Sequence, residues 1–263
     1  MEQDAVETSL VGGLSNVGKV LRVGDTVRRP WGPHSPAVHA LLGHLEAVGF
    51  DGAPRFLGRD DRGRAVLSYV EGDVGIAPYP SWVADPDLLD SVAKLHRRFH
   101  DAVRGFRLPA DTRWDTTLAG DPRLATLVGH NDLCIENVVV RDGLAVAFID
   151  FDFAAPADAL WDVAIALRHW VPVREVQDLE PARVDLDRIA RFRRYCDVYG
   201  VDTVDRRRLV ELLGRFLDQA LVKVRERALA GQGGYRELWA AGYEGQNRRA
   251  HDWVASNEER LTR

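Results

Sequence analysis

The stretch from Val138 to Asp150 constrains this chain most. Asp142-Gly143 separates Val138-Val139-Val140 from Leu144-Ala145-Val146-Ala147-Phe148-Ile149. An Asp-Gly pair between two apolar, β-branched runs is a strong hairpin signal. Pairing Arg141 with Leu144 across the turn puts Asn137 opposite Phe148. Asp150 follows two residues later on the returning strand, so Asn137 and Asp150 leave the hairpin at the same open end. Diagonal neighbours in an antiparallel pair lie roughly 7–8 Å apart at Cα. An amide oxygen and a carboxylate oxygen placed there can converge on one hard cation, and magnesium suits such a donor set. Asp132, just before the hairpin, is within a loop's reach of the same end. Phosphoryl transfer needs this combination: a carboxylate to take or orient an attacking hydroxyl, and a metal to neutralise phosphate charge.

The chain divides around this hairpin. Upstream, Glu7 to Val11, Val17 to Val23 and Thr26 to Arg29 read as strands, with a tight turn at Gly24-Asp25. Ala37 to Val48 has helical spacing, with Val38, Leu41, Leu42, Leu45 and Val48 on one face. Arg55 to Leu57 and Arg64 to Val70 read as two more strands. Glu71 to Pro86 is rich in Gly, Pro and Asp and can cross between lobes. Beyond it the pattern turns helical: a strong stripe from Leu88 to Val103, a weaker one at Ala119 to Leu127, then Trp161 to Trp170, Asp185 to Tyr199, Arg206 to Ala230 and Tyr235 to Leu261. The expected architecture is α+β and bilobal, with a small β-rich lobe over residues 1–71 and a larger, mostly helical lobe over 72–263.

Composition narrows the partners. The net charge of −5 over 263 residues gives no general pull toward nucleic acid or an anionic membrane. No apolar stretch is long enough to span a bilayer. Met1 to Ser9 is polar and acidic, unlike a signal peptide. Two cysteines, Cys134 and Cys196, make no disulfide framework. A cytoplasmic protein acting on small molecules is the expectation. Gly13-x-x-x-x-Gly18-Lys19 imitates a Walker A loop, but Val20 stands where the magnesium-binding hydroxyl belongs, and a strand pattern follows where that loop requires a helix.

The string His130-x-Asp132-x-x-x-x-Asn137, followed by Ile149-Asp150 and then Trp161-Asp162-Val163-Ala164, resembles the catalytic loop, metal-binding aspartate and following helix of the aminoglycoside phosphotransferase family. That family is similar in fold to protein kinases and choline kinases. The resemblance implies a small-molecule kinase that moves the γ-phosphate of ATP or GTP to a hydroxyl of an antibiotic, sugar or other metabolite. It makes Asp132 the catalytic carboxylate, Asn137 and Asp150 the Mg2+ ligands, and His130 and Asp162 supports of the loop. Gly12-Gly13-Leu14-Ser15-Asn16 resembles the turn that covers the nucleotide phosphates, with Ser15 facing them. Ser68-Tyr69-Val70 corresponds to the strand and hinge that carry the adenine edge. The chain departs from the pattern at the third strand, where such kinases place a lysine. Arg28 or Arg29 stands there instead, and arginine is not equivalent to lysine. The expected partner glutamate on the next helix is also missing: His39 sits near its place and Glu46 lies two turns on. Asp152, where kinases often have glycine, reads as a solvated loop charge or an additional metal-facing carboxylate.

On the acceptor side, acidic and basic residues nearly cancel over Val173 to Arg263. That balance argues against a strongly cationic substrate. Arg191, Arg193, Arg194 and Arg206-Arg207-Arg208 read as solvated helix faces. Trp170, Tyr235, Trp239, Tyr243 and Trp253 read as core rather than as walls for a ligand. Cys134 reads as a small packed thiol.

Overall fold

The computed structural model describes residues 6–10 and 18–263. An antiparallel sheet of order β1-β2-β3-β5-β4 fills the N-terminal part. Its strands are β1 (Glu7–Ser9), β2 (Leu21–Val23), β3 (Thr26–Arg29), β4 (Phe56–Arg59) and β5 (Ala65–Ser68). α1 (Ser35–Ala47) lies between β3 and β4 and buries Val38, Leu41, Leu42 and Leu45. Lys19 sits in a turn that leads directly into β2, so no P-loop helix follows it.

The rest of the chain is mostly helical: α2 (Pro86–Ala102), α3 (Ala159–Trp170), α4 (Arg188–Tyr199), α5 (Thr203–Leu229), α6 (Gly233–Ala240) and α7 (Tyr243–Thr262). Aspartates start several of these helices by accepting a backbone N–H: Asp85 from Asp87, Asp158 from Leu160, Asp187 from Ala190 and Asp202 from Asp205. α2 buries Leu88, Leu89, Val92, Leu95 and Phe99. α3 is buried along almost its whole length. Two expectations fail here. Residues 119–127 hold only a 3-10 turn at Pro122–Leu124 and the start of a strand, because Gly120 and Pro122 interrupt the weak stripe. Tyr235 to Leu261 is two helices, broken at Gly242, whose φ of 85° no helix interior accepts.

Two small ribbons carry the loops between α2 and α3. β6 (Leu127–Gly129) pairs with β9 (Ala155–Ala157), and β7 (Val138–Arg141) pairs with β8 (Leu144–Phe148). Asp142 and Gly143 both take positive φ, 52° and 76°, as a two-residue hairpin turn requires. Arg141 faces Leu144 as expected, but a bulge between Val139 and Val140 shifts the register. Val138, not Asn137, therefore pairs with Phe148. The Ile149 amide donates to the Asn137 carbonyl at 2.9 Å, which brings Asn137 one residue nearer to Asp150.

The segment after β5 docks onto this hairpin. Asp73 and Val140 exchange two backbone hydrogen bonds of 2.8 Å. Gly72, at φ 145°, lies so close that an added Cβ would meet Val139 Cγ1 and Val140 O at 2.6 Å. Beneath the loop, Leu133, Ile135 and Phe148 are fully buried.

Candidate active site

The loop after β6 is fixed from below. Asp162, buried in the first turn of α3, accepts the His130 backbone N–H at 2.8 Å and the Asn131 N–H at 2.7 Å, one on each carboxylate oxygen. Two imidazoles reach the same carboxylate: His96 Nε2 at 3.2 Å and His100 Nε2 at 3.0 Å, both from α2. Their other ring nitrogens meet Tyr195 Oη at 2.8 Å and Tyr199 Oη at 2.6 Å on α4. Burial alone would raise the Asp162 pKa, but the bonds from His100 and His96 hold it well below the usual carboxylate range. Burial keeps His96 neutral, with its pKa lowered to about 4. His130 is itself buried and donates from Nε2 to the Ile149 carbonyl at 3.0 Å, tying the loop to the strand that delivers Asp150. Asn131 takes φ 59° and donates to the Phe153 and Ala155 carbonyls.

Asp132 stands at the end of this braced loop. The Asn137 amide donates to the Asp132 carbonyl at 2.8 Å and to its carboxylate at 3.2 Å. Because its nitrogen faces Asp132, the amide oxygen of Asn137 is the atom able to bind a cation. Burial raises the Asp132 carboxyl to about 7; Lys223 on α5 opposes that rise and Asp150 adds to it. Lys223 Nζ lies 3.9 Å from the centre of the Phe153 ring, and burial lowers its pKa to about 8.

Asp150 follows β8 with φ 63°, in the left-handed region. One guanidinium nitrogen, Arg29 Nη2, lies 2.7 Å from Asp150 Oδ1 and 2.6 Å from Asp152 Oδ2. Burial opposes ionisation of Asp150, yet the charge and hydrogen bond of Arg29 hold its pKa below the ordinary value. Of the two arginines, Arg29 is the one beside Asp150. Strand alternation sends Arg28 to the other side, toward Thr26 and Asp60. Asp152 pairs with Arg29 while its side chain stays 41% exposed. His39 does lie beside Arg29, but it stacks on Phe56 at 3.9 Å and stays neutral, its pKa lowered to about 4 by burial and then by Arg29. Glu46 instead faces Arg55.

A cleft of about 190 Å³ is lined by Arg29, His39, Ala65, Leu67, Asp115, Asp150 and Asp152, among others. Asp132, Asn137, Ser68, Tyr69 and Val70 are not in its lining. Ser68 bonds to Arg55, and Tyr69 carries Arg22 over its ring at 3.7 Å. Ser15 and its glycine turn lie outside the described residues. Trp170, Tyr235, Tyr243 and Trp253 are core. Two arginines read as solvated are buried instead: Arg191 donates to the Ala84 and Trp170 carbonyls, and Arg206 pairs with Asp197. Sequence reasoning missed His96, His100 and Lys223. The signal was present for the histidines, two polar residues at i, i+4 on the apolar stripe of α2.

Known proteins resemble this chain in sequence and in fold. Residues 114–199 match the model of the phosphotransferase enzyme family. The chain is 31% identical to a trifolitoxin immunity protein of Rhizobium leguminosarum bv. trifolii, over 97% of both chains. Among solved structures, a choline/ethanolamine kinase family protein from Mesorhizobium loti superposes with a TM-score of 0.65 at 15% identity, covering 98% of this chain and 92% of that one. The GDP complex of aminoglycoside 2′-phosphotransferase-IIIa gives 0.57 at 16% identity over 96% and 93%. An amicoumacin kinase solved with AMP-PNP, Ca2+ and its antibiotic gives 0.60 at 10% identity over 84% and 80%. With a full-length relative at this identity and the family pattern spanning the loop and α3, the chain belongs to the phosphotransferase enzyme family.

Proposed function

We propose that this chain transfers the γ-phosphate of ATP or GTP to a hydroxyl of a small molecule, with an antibiotic or toxin as the favoured class of acceptor. The name of the immunity-protein relative and the antibiotic held by the amicoumacin kinase support that class. Residues 1–71 would cover the nucleotide, and residues 72–263 would carry the loop and the acceptor cleft. Such a reaction belongs in the cytoplasm, where nucleoside triphosphates are made. The observation that carries this proposal is the Asn137 amide, bonded to both the main chain and the carboxylate of Asp132 beside the strand end that delivers Asp150.

The residues present fit Mg2+. Asn137 and Asp150 offer hard oxygen donors, and the Arg29 nitrogen bridging Asp150 and Asp152 supports a cation position there. Asn137 and Asp150 would hold the ion, which when bound screens negative charge on the nucleotide phosphates. Asp132 would orient the acceptor hydroxyl and take its proton. Asp162, His96, His100 and His130 would keep Asp132 in place. Arg29 would exchange its carboxylates for phosphate oxygens, which a guanidinium grips in a fork. The Asp132→Asn variant should bind nucleotide as the parent does and lose transfer by about 10²-fold or more; unchanged turnover would remove Asp132 from this role.

A second possibility is a nucleotide-binding module without transfer. Arg29 favours it, since it stands where related kinases use lysine and closes onto both carboxylates. Nucleotide binding with no phosphate transfer to any of a broad set of hydroxyl compounds would select the module.

A further inference from the structure

The end of α3 and the loop beyond it gather three arginines, Arg168, Arg174 and Arg183, among which the nearby carboxylates are shared unevenly. Arg168, in the last turn of α3, is 6% exposed. Among the described residues it has no ion-pair or hydrogen-bond partner. Arg183, 4% exposed, places Nε and Nη2 on Glu180 Oε2 at 3.0 and 2.5 Å, and Nη1 on the His169 carbonyl at 2.8 Å. Arg174 also approaches Glu180, at 3.6 Å, while its own Nε is buried without a hydrogen-bond partner. Glu180 thus serves Arg174 and Arg183 and leaves Arg168 uncompensated. Of the other acidic groups in this loop, Asp178 is held by both ends of Arg249 at 2.6 and 2.5 Å, and Glu175 acts on Arg188 and Arg249.

The Arg168 guanidinium nitrogens, unlike Arg174 Nε, keep some contact with solvent, so an anion from solution can reach them. Burial, and then Arg174, lower the Arg168 pKa to about 10. His169 beside it is kept neutral by burial and the same arginines. Positive charge assembled in this way is stabilised when an external anion completes it.

The position of the cluster gives the anion a purpose. Arg183 lies 4.6 Å over the Tyr79 ring. Tyr79 Oη donates at 2.7 Å to Glu136, which sits in the turn between Asp132 and Asn137. Arg168 is also within electrostatic reach of Tyr79 and of Tyr243 at the start of α7. The cluster therefore borders the loop that presents Asp132.

We propose that Arg168, Arg174 and Arg183 form an anion subsite of the acceptor cleft, and that the acceptor carries a carboxylate or phosphate group besides the hydroxyl it offers to Asp132. The subsite rests on the phosphotransferase reading for its place in catalysis, but not for its affinity for anions. It excludes polycationic aminoglycosides, whose ammonium groups would meet like charge.

Thermal unfolding at matched ionic strength tests it, with chloride, inorganic phosphate and glycerate as probes. Phosphate and glycerate should raise the wild-type Tm by about 3 °C over chloride at ten times their dissociation constants. Arg168→Met should lose that increment and melt no lower than wild type in chloride, since it removes an unpaired charge. Arg168→Lys should keep part of the increment. An equal increment in wild type and Arg168→Met overturns the proposal, as does an Arg168→Met protein that melts several degrees lower in chloride. A second arm supplies Mg·ATP with hydroxy acids or with amino alcohols. Transfer to hydroxy acids, lost in Arg168→Met with nucleotide binding intact, supports the subsite. Transfer to amino alcohols alone, without an anion increment, overturns it and keeps the kinase. An anion increment without any transfer supports the subsite and counts against the kinase.

Discussion

Arg29 is the residue that ties the two carboxylates of the site together. Its single nitrogen between Asp150 and Asp152 does electrostatically what a bound cation would do, and holds the two carboxylates together. A lysine in its place would supply a charge but not a planar fork. Arg29→Met should therefore weaken ATP binding about tenfold or more, equivalent to ~1.4 kcal/mol, and Arg29→Lys should recover part of it. Isothermal titration with Mg·AMP-PNP measures both; equal affinities in all three proteins would show that Arg29 makes no phosphate contact. At this scale spacing brought Asn137 and Asp150 to one end of the hairpin, although the count missed the bulge that sets their register, and Asp132 was placed by its nearness in the chain. Asp152 and Lys223 could not be found that way, because each meets its neighbours through tertiary packing of segments far apart in the chain.

The hairpin and the segment that leans on it work as one element. The Asp142-Gly143 turn was readable because only residues tolerant of positive φ fit there. The bulge at Val139/Val140 was not readable, since it depends on Asp73 pairing with Val140 from the other side. Gly72 makes that approach possible. Gly72→Val should cost about 2 kcal/mol or more, from a φ of 145° and a Cβ at 2.6 Å from a carbonyl oxygen. Urea unfolding checks it; a loss under 0.5 kcal/mol, as at an ordinary surface position, would mean that the segment does not press on the hairpin. The helices were legible in number and order where their apolar stripes were long, as in α2. They were misread where glycine or proline broke a stripe, at Gly120-Asp121-Pro122 and at Gly242.

Across the whole molecule, buried histidines link the two parts to pH. His39 under the sheet and His96 under the loop both have folded pKa values near 4, against about 6.5 when unfolded. These two histidines thus bind more protons in the unfolded chain between these limits, while Asp132, raised to about 7, works in the opposite direction. The histidines' share of the stability should be full above pH 6.5 and fall as pH drops toward 4. His39→Phe keeps the stack on Phe56 and removes one of the two titrations, so its melting temperature should depend less on pH over that window. An unchanged pH slope would place the acid sensitivity elsewhere. The central claim is a shared cation between Asn137 and Asp150 with Asp132 at hand. Anomalous scattering from a crystal of the Mn2+·AMP-PNP complex tests it most directly. The expected result is a manganese peak about 2.1 Å from the Asn137 amide oxygen and from an Asp150 carboxylate oxygen. Nucleotide bound with Arg29 still closed on Asp150, and no metal at either residue, would contradict it.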